Sequence, residues 1–259
     1  MNIVNIKDNN NLFLLEQLVK KNFSSKYKDS YLGILWSVLR PLFMMIILTI
    51  IFSTMFSKSI PNYPVYLLAG RTLFRFFVGA CGSSMGSLKG NKHILLQNPV
   101  PKYIFVLATV ISAFIDLVIS VLLLTVVMVA TNAPFYFSLI PLSIFPIISL
   151  LMMVIGVSLI LSVISVYYSD IQHLWGVFTQ ILLYSSAIFY PLEIIPQPYR
   201  QYIMLNPLLW TIDQFRHFIV FGDFPNLLNM FNSFVLSLII LIFGIIVFAK
   251  YSEKIVIKF

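Results

Sequence analysis

The chain has one cysteine and very little charge. Only 10% of its 259 residues are Asp, Glu, Lys or Arg, against about 25% in an ordinary soluble domain. Cys81 alone rules out a disulfide within the chain and any cysteine-based metal cage. His93, His173 and His217 stand far apart, with no H-E-x-x-H and no carboxylate at ligand spacing. There is no G-x-S-x-G. The glycines between Gly79 and Gly90 are followed by no Gly-Lys-Ser/Thr, so the chain has no Walker-type nucleotide loop and no site for a cofactor. The spacing Gly82-x-x-x-Gly86 predicts close helix packing instead. The first 30 residues lack the apolar core and small-residue cleavage site of a signal peptide, so the N-terminus is expected to be retained.

What is present is apolar: 59% of the residues are hydrophobic, with 24 Phe and 13 Tyr. A bilayer core needs about 20 apolar residues per helix. Six stretches meet that need: residues 32–56, 63–87, 103–131, 137–166, 174–190 and 228–250. The expected fold is therefore an all-α membrane protein of six transmembrane helices. Residues 1–31 form an N-terminal segment, 32–250 the transmembrane domain and 251–259 a tail. Residues 10–27 predict an amphipathic interface helix, with Leu12, Leu15, Val19 and Phe23 on one face and Gln17, Lys20, Lys21 and Ser24 opposite.

The net charge of +8 follows the spans. Lys7, Lys20, Lys21, Lys26, Lys28, Lys89, Lys92, Lys102, Lys250, Lys254 and Lys258 fall on one side. Lys58, Arg200 and Arg216 fall on the other. The positive-inside rule then puts both termini in the cytoplasm, and the basic balance carries no nucleic-acid reading.

Residues 26–41, KYKDSYLGILWSVLRP, form the border between these two regimes. Their pattern K-Y-K-x-S-x-L-G-x-x-W, ahead of a proline-led apolar helix, closely resembles the permease subunits of ABC exporters for polysaccharide and teichoic acid. SSAIFYP at 185–191 and LNPL at 205–208 extend the likeness over nearly the whole chain. Tyr168-Ser169-Asp170-Ile171 keeps the aspartate of the family's common Arg-Asp-Ile but not its arginine. The resemblance implies a homodimer in the cytoplasmic (inner) membrane, with two copies of an ABC ATPase that supplies ATP and Mg. The substrate would be a lipid-linked polysaccharide, O-antigen foremost, with teichoic acid or capsule next. The alternatives are a drug or small-lipid exporter permease, a polytopic membrane acyltransferase acting on lipid-linked sugars, and a purely structural membrane subunit. The acyltransferase would need a clustered His or carboxylate site.

The family assigns the loop 88–102 to ATPase coupling. Lys89, Lys92 and His93 would form its charged rim, and Ile94, Leu95 and Leu96 an apolar core that has no span to join and needs a partner to cover it. The segment 190–228 is too polar for an ordinary span and too apolar for a solvated loop. Short re-entrant helices broken at Asn206-Pro207 are expected there, between the fifth and sixth spans.

Arg40, Arg71, Arg75 and Asp116 fall inside predicted spans, where each charge costs about 2.5–3.5 kcal/mol on insertion scales. Similar depth predicts an Arg75–Asp116 pair. Arg71 is the better candidate to line an anionic path, with Trp36, Phe43, Trp175, Phe178 and Tyr184 offering flat apolar faces to a sugar polymer.

Overall fold

The computed structural model describes residues 9–27, 31–33, 35–56, 60–97 and 100–258. All regular structure among them is helical. The helices are α1 (Asn9–Tyr27), α2 (Leu35–Phe56), α3 (Tyr63–Ser87), α4 (Lys92–Gln97), α5 (Tyr103–Ala130), α6 (Ile144–Tyr167), α7 (Ile171–Ser185), α8 (Gln197–Ile203), α9 (Pro207–Arg216) and α10 (Leu227–Lys258). Much of the 26–36 border motif is described, but Lys28, Ser30 and Ile34 lie outside the described residues, as do Lys7, Lys58 and Pro99.

Among the described residues five helical stretches are long and apolar enough to cross a membrane: Leu35–Phe56, Tyr63–Ser87, Tyr103–Ala130, Ile140–Tyr167 and Leu227–Ile255. The fifth predicted span is shorter than expected. In place of residues 174–190 the chain forms α7, whose 15 residues rise about 22 Å against a core of about 30 Å. It stops at Ser185, where residues 187–190 give their carbonyls to distant side chains and Ala187 adopts a positive φ of 47°.

α3 is the pivot of the bundle, buried along most of its length. Asn62 starts it by accepting the Val65 amide at 3.3 Å, and donates to the Thr131 hydroxyl at 2.9 Å, which ties α3 to the end of α5. α6 and α10 cross where a glycine from each meets the other's backbone. A Cβ on Gly156 would lie 2.5 Å from the Ile240 carbonyl oxygen, and one on Gly244 would strike the Gly156 carbonyl. This is the small-residue crossing that lets membrane helices pack closely. The predicted Gly82-x-x-x-Gly86 crossing is not formed. Gly82 faces the Trp175 ring at ordinary contact distance, and Gly86 faces open space.

One end of the bundle gathers a second apolar core from five separate elements. Leu18 of α1, Leu88 and Leu95 beside and within α4, Phe105 of α5, Val166 of α6 and Ile255 of α10 pack together. The start and the end of the described chain therefore lie at the same end, with α4 between them. That cluster also sets which face of α1 is buried: Leu18 is covered, Leu15 and Val19 pack beside it, and Leu12 is exposed.

Candidate functional site

Three arrangements carry the chemistry. The first is a cavity of about 480 Å³ between the end of α1 and helices α2, α3 and α5. Each long helix contributes one stripe: Trp36, Ser37 and Arg40 from α2, Thr72, Arg75, Phe76, Gly79 and Ser83 from α3, and Ala113, Asp116, Leu117 and Ser120 from α5. These spacings of three and four put each set on one helix face. Pro41 sits inside α2 and cannot donate the ladder bond to Ser37, so the continuous helix lacks one ladder bond at the cavity wall. Asp116 does not pair with Arg75. Lys26, at the end of α1, reaches in and binds the carboxylate at 2.7 Å. Helix depth counted along the spans could not anticipate a partner 90 residues earlier in the chain. Arg75 and Asp116 nevertheless face the same cavity, joined there by Arg40. Arg71 lies one turn from Arg75 on α3, half-buried and outside the lining.

The second arrangement is the loop around α4. Lys21 of α1 donates to Asn91 at 3.0 Å, and Asn91 donates back to the Ser87 carbonyl at 2.8 Å, so α1 braces the loop. The predicted three-residue apolar core divides. Leu95 is only 6% exposed, because α1, α5 and α10 close over it, and Ile94 is half-buried beside it. Leu96 is 50% exposed and turns away from the cluster, with Lys89 and His93 also exposed. Leu95 is thus an anchor within the chain, and Leu96 alone of the three offers an apolar surface outward.

The third arrangement lies at the opposite end, and the sequence reading counted its key residue only as a surface charge. Arg216, at the end of α9, is 2% exposed. Its guanidinium donates to the Tyr66 carbonyl at 3.3 Å, the Tyr66 hydroxyl at 2.9 Å, the Ala187 carbonyl at 2.9 Å and the Ile188 carbonyl at 2.9 Å. It also lies over the Tyr66 ring, 3.5 Å from the centroid. A Cβ on Gly70 would collide with this guanidinium, so a larger residue at that turn of α3 would displace Arg216 from its bonds. Tyr63 and Tyr66 take the neighbouring carbonyls of Phe189 and Tyr190 at 2.9 and 3.0 Å. Asn206 caps α9 by accepting the Leu208 amide and holds the end of α7 through Ser186 at 2.9 Å. The only hint in the sequence was an arginine set among apolar residues at helical spacing, Leu208, Ile212, Phe215 and Ile219, all of which are buried.

Beyond Arg216 the helix widens into a π-turn (His217–Phe221), which ends at Gly222 in the left-handed region, φ 74°. His217 sits between Asp213 and Asp223. Hydrogen bonding to Asp213, the larger contributor, and to Asp223, the closer contact at 2.6 Å, raises its pKa to about 9 against the cost of burial. It is charged at neutral pH and clasps the turn. Among the described residues no three His, Cys, Asp or Glu side chains converge to hold a metal.

Residues 14–220, from α1 to the π-turn, match the family model described as ABC-2 type transporter. The chain belongs to the ABC-2 type transporter family. Among this transporter chain's relatives, the O-antigen export system permease protein RfbA of Klebsiella pneumoniae is 25% identical, with 93% of each chain covered. The protein of the same name from Myxococcus xanthus is 24% identical over 76% of each chain. The polysialic acid transport protein KpsM of Escherichia coli is 23% identical, covering 92% of this chain and 93% of its own.

The structure distributes the transporter's remaining sequence-predicted residues over two surfaces. Trp36 and Phe43 are exposed on α2. Phe178 and Tyr184 are exposed on α7, in a stripe with Leu174, Val177 and Ile181. Trp175 is buried, tilted against Phe77 and Phe178 at ring distances of 5.9 and 5.7 Å, and serves as packing within the chain. Lys92 is half-buried on the loop.

Proposed function

We propose that this chain is the path-forming membrane subunit of an ATP-driven exporter that moves a lipid-linked polysaccharide, O-antigen foremost, across the cytoplasmic membrane. The observation that carries this reading is the end-to-end similarity to polysaccharide export permeases, 93% of both chains in one case. ATP is hydrolysed on a separate ABC ATPase, two copies of which dock on a homodimer of this chain. α7, with the turn residues 186–190 beyond it, acts as a sixth span. α8 and α9 re-enter the membrane from outside, and the Arg216 knot holds them there. Backbone away from regular helices is tolerated at membrane depth only where protein satisfies it, and Arg216, Tyr63 and Tyr66 do so for residues 187–190. The exposed apolar stripes of α2 and α7 are the surfaces through which two copies would meet. Between them the exposed aromatics Phe43, Phe178 and Tyr184 would flank the polymer, with Arg71 one turn from the basic cavity.

On this reading the α4 loop and both termini face the cytoplasm, and α8 faces outward. In a Cys81→Ala background, Gln197→Cys is expected to react with an impermeant thiol reagent on intact cells. Glu253→Cys is expected to react only after the membrane is opened. Labelling of Glu253→Cys in intact cells would reverse the orientation and leave α4 with no access to an ATPase.

A further inference from the structure

We propose that the cavity between α1, α2, α3 and α5 binds a phosphate or diphosphate group carried on a membrane lipid. Its charge is the first reason. Among the described residues three cations, Lys26, Arg40 and Arg75, line it against one carboxylate, Asp116, and that carboxylate is engaged by Lys26 at 2.7 Å. Arg40 and Arg75 have no hydrogen-bond or ion-pair partner among the described residues. Two guanidiniums left over at membrane depth are costly without a counter-ion, and charges in such places mark ligand paths. Guanidinium is also the side chain whose fixed fork of donors suits phosphate oxygens.

Size and depth are the second reason. A cavity of about 480 Å³ is within the range of ordinary ligand sites, roughly 300–1,000 Å³. Counted along the helices at 1.5 Å per residue, Arg75 lies about 18 Å and Arg40 about 24 Å from the end of the bundle that holds Tyr63 and Phe56. Both are therefore inside a core of about 30 Å, in the half nearer α1 and α4. An anion from solution would have to leave water to reach them. A lipid phosphate reaches them by lateral diffusion, with its tail left in the bilayer beside the exposed apolar faces of α2 and α5, where Ile47, Val118 and Leu122 stand open. Trp36, at the start of α2, lines the mouth with its amphipathic ring.

The phosphate site stands on the cavity alone. Its assignment to an isoprenoid diphosphate carrier, over bulk phospholipid, rests on the exporter reading. The test uses the full chain in nanodiscs of neutral lipid with Trp175→Phe and Trp210→Phe, which leaves Trp36 as the only fluorophore of its kind. Farnesyl diphosphate is expected to shift Trp36 emission and to bind at least about tenfold more tightly than farnesol. Arg40→Gln/Arg75→Gln is expected to weaken the diphosphate about a hundredfold, at about tenfold per lost charge-assisted contact, with an unchanged melting temperature. If that double variant does not fold, Arg40→Gln alone is expected to lose about tenfold. Short-chain phosphatidylglycerol bound more weakly than farnesyl diphosphate assigns the site to the carrier, and equal binding assigns it to phospholipid. Farnesol binding as tightly as its diphosphate, or a folded double variant binding undiminished, overturns the proposal. If either occurs while the ATPase still co-purifies, the cavity site falls and the exporter reading stands.

Discussion

Arg216→Leu is expected to lower the stability of the protein by about 3–5 kcal/mol, from several buried acceptors left unpaired at about 1–3 kcal/mol each. Leucine cannot donate, so the carbonyls of Tyr66, Ala187 and Ile188 lose a partner they now hold at 2.9–3.3 Å. A buried acceptor left unpaired costs about 1–3 kcal/mol. The ring of Tyr66 also loses the cation 3.5 Å above it. α2, α3, α5, α6 and α10 need none of these bonds, so the variant should still insert. Thermal melting in detergent should fall sharply, and protease should cut within residues 187–206, the stretch released from α3. Arg216→Lys keeps the charge but not the fork, and should fall between the two. Melting of Arg216→Leu at the wild-type temperature would show that α9 is held by apolar packing alone.

The second large effect is expected at Leu96. Among the described residues of this loop, a partner meets one exposed large apolar side chain, with Lys89 and His93 around it. Interface anchors of this kind carry 2 kcal/mol or more, about thirtyfold in affinity, while rim charges mainly tune association. Leu96→Asp should therefore abolish co-purification of the ATPase from detergent and stop export, with an unchanged melting temperature. Lys89→Ala should weaken the complex only slightly. Leu95→Asp is a different experiment: it buries a carboxylate among Leu18, Leu88 and Phe105 and should unfold that end of the bundle. Retention of the ATPase by Leu96→Asp would move the docking surface elsewhere, with the exposed face of α1 next to be tested.

The contrast between Leu95 and Leu96 shows where the sequence stops being informative. Length and apolarity mark α2, α3, α5, α6 and α10, because a helix that spans a bilayer is a local property of about 20 residues. Which side of a six-residue helix is covered depends on Leu18 and Ile255, from opposite ends of the chain. The same limit explains Asp116. Its depth on α5 was legible, but Lys26 reaches it only because α1 packs along α5, with Ser112 touching the Val19 carbonyl. The shortening of α7 has the same origin. Residues 186–190 are apolar enough to continue a span, and they break from the helix to meet Tyr63, Tyr66 and Arg216. The polar, proline-marked region after them was visible as something other than a loop. The cationic knot at its centre was not, since a lone arginine near a predicted membrane end reads as a surface charge.

An export permease of this kind must carry outward a polymer assembled inside the cell. The direct measurement removes its gene from the host and follows both surface polysaccharide and lipid-linked polymer within the cell. Loss of surface polymer with lipid-linked polymer accumulating inside, reversed by the wild-type chain and not by Leu96→Asp, is the predicted result. Unchanged surface polysaccharide with no accumulation inside would contradict it.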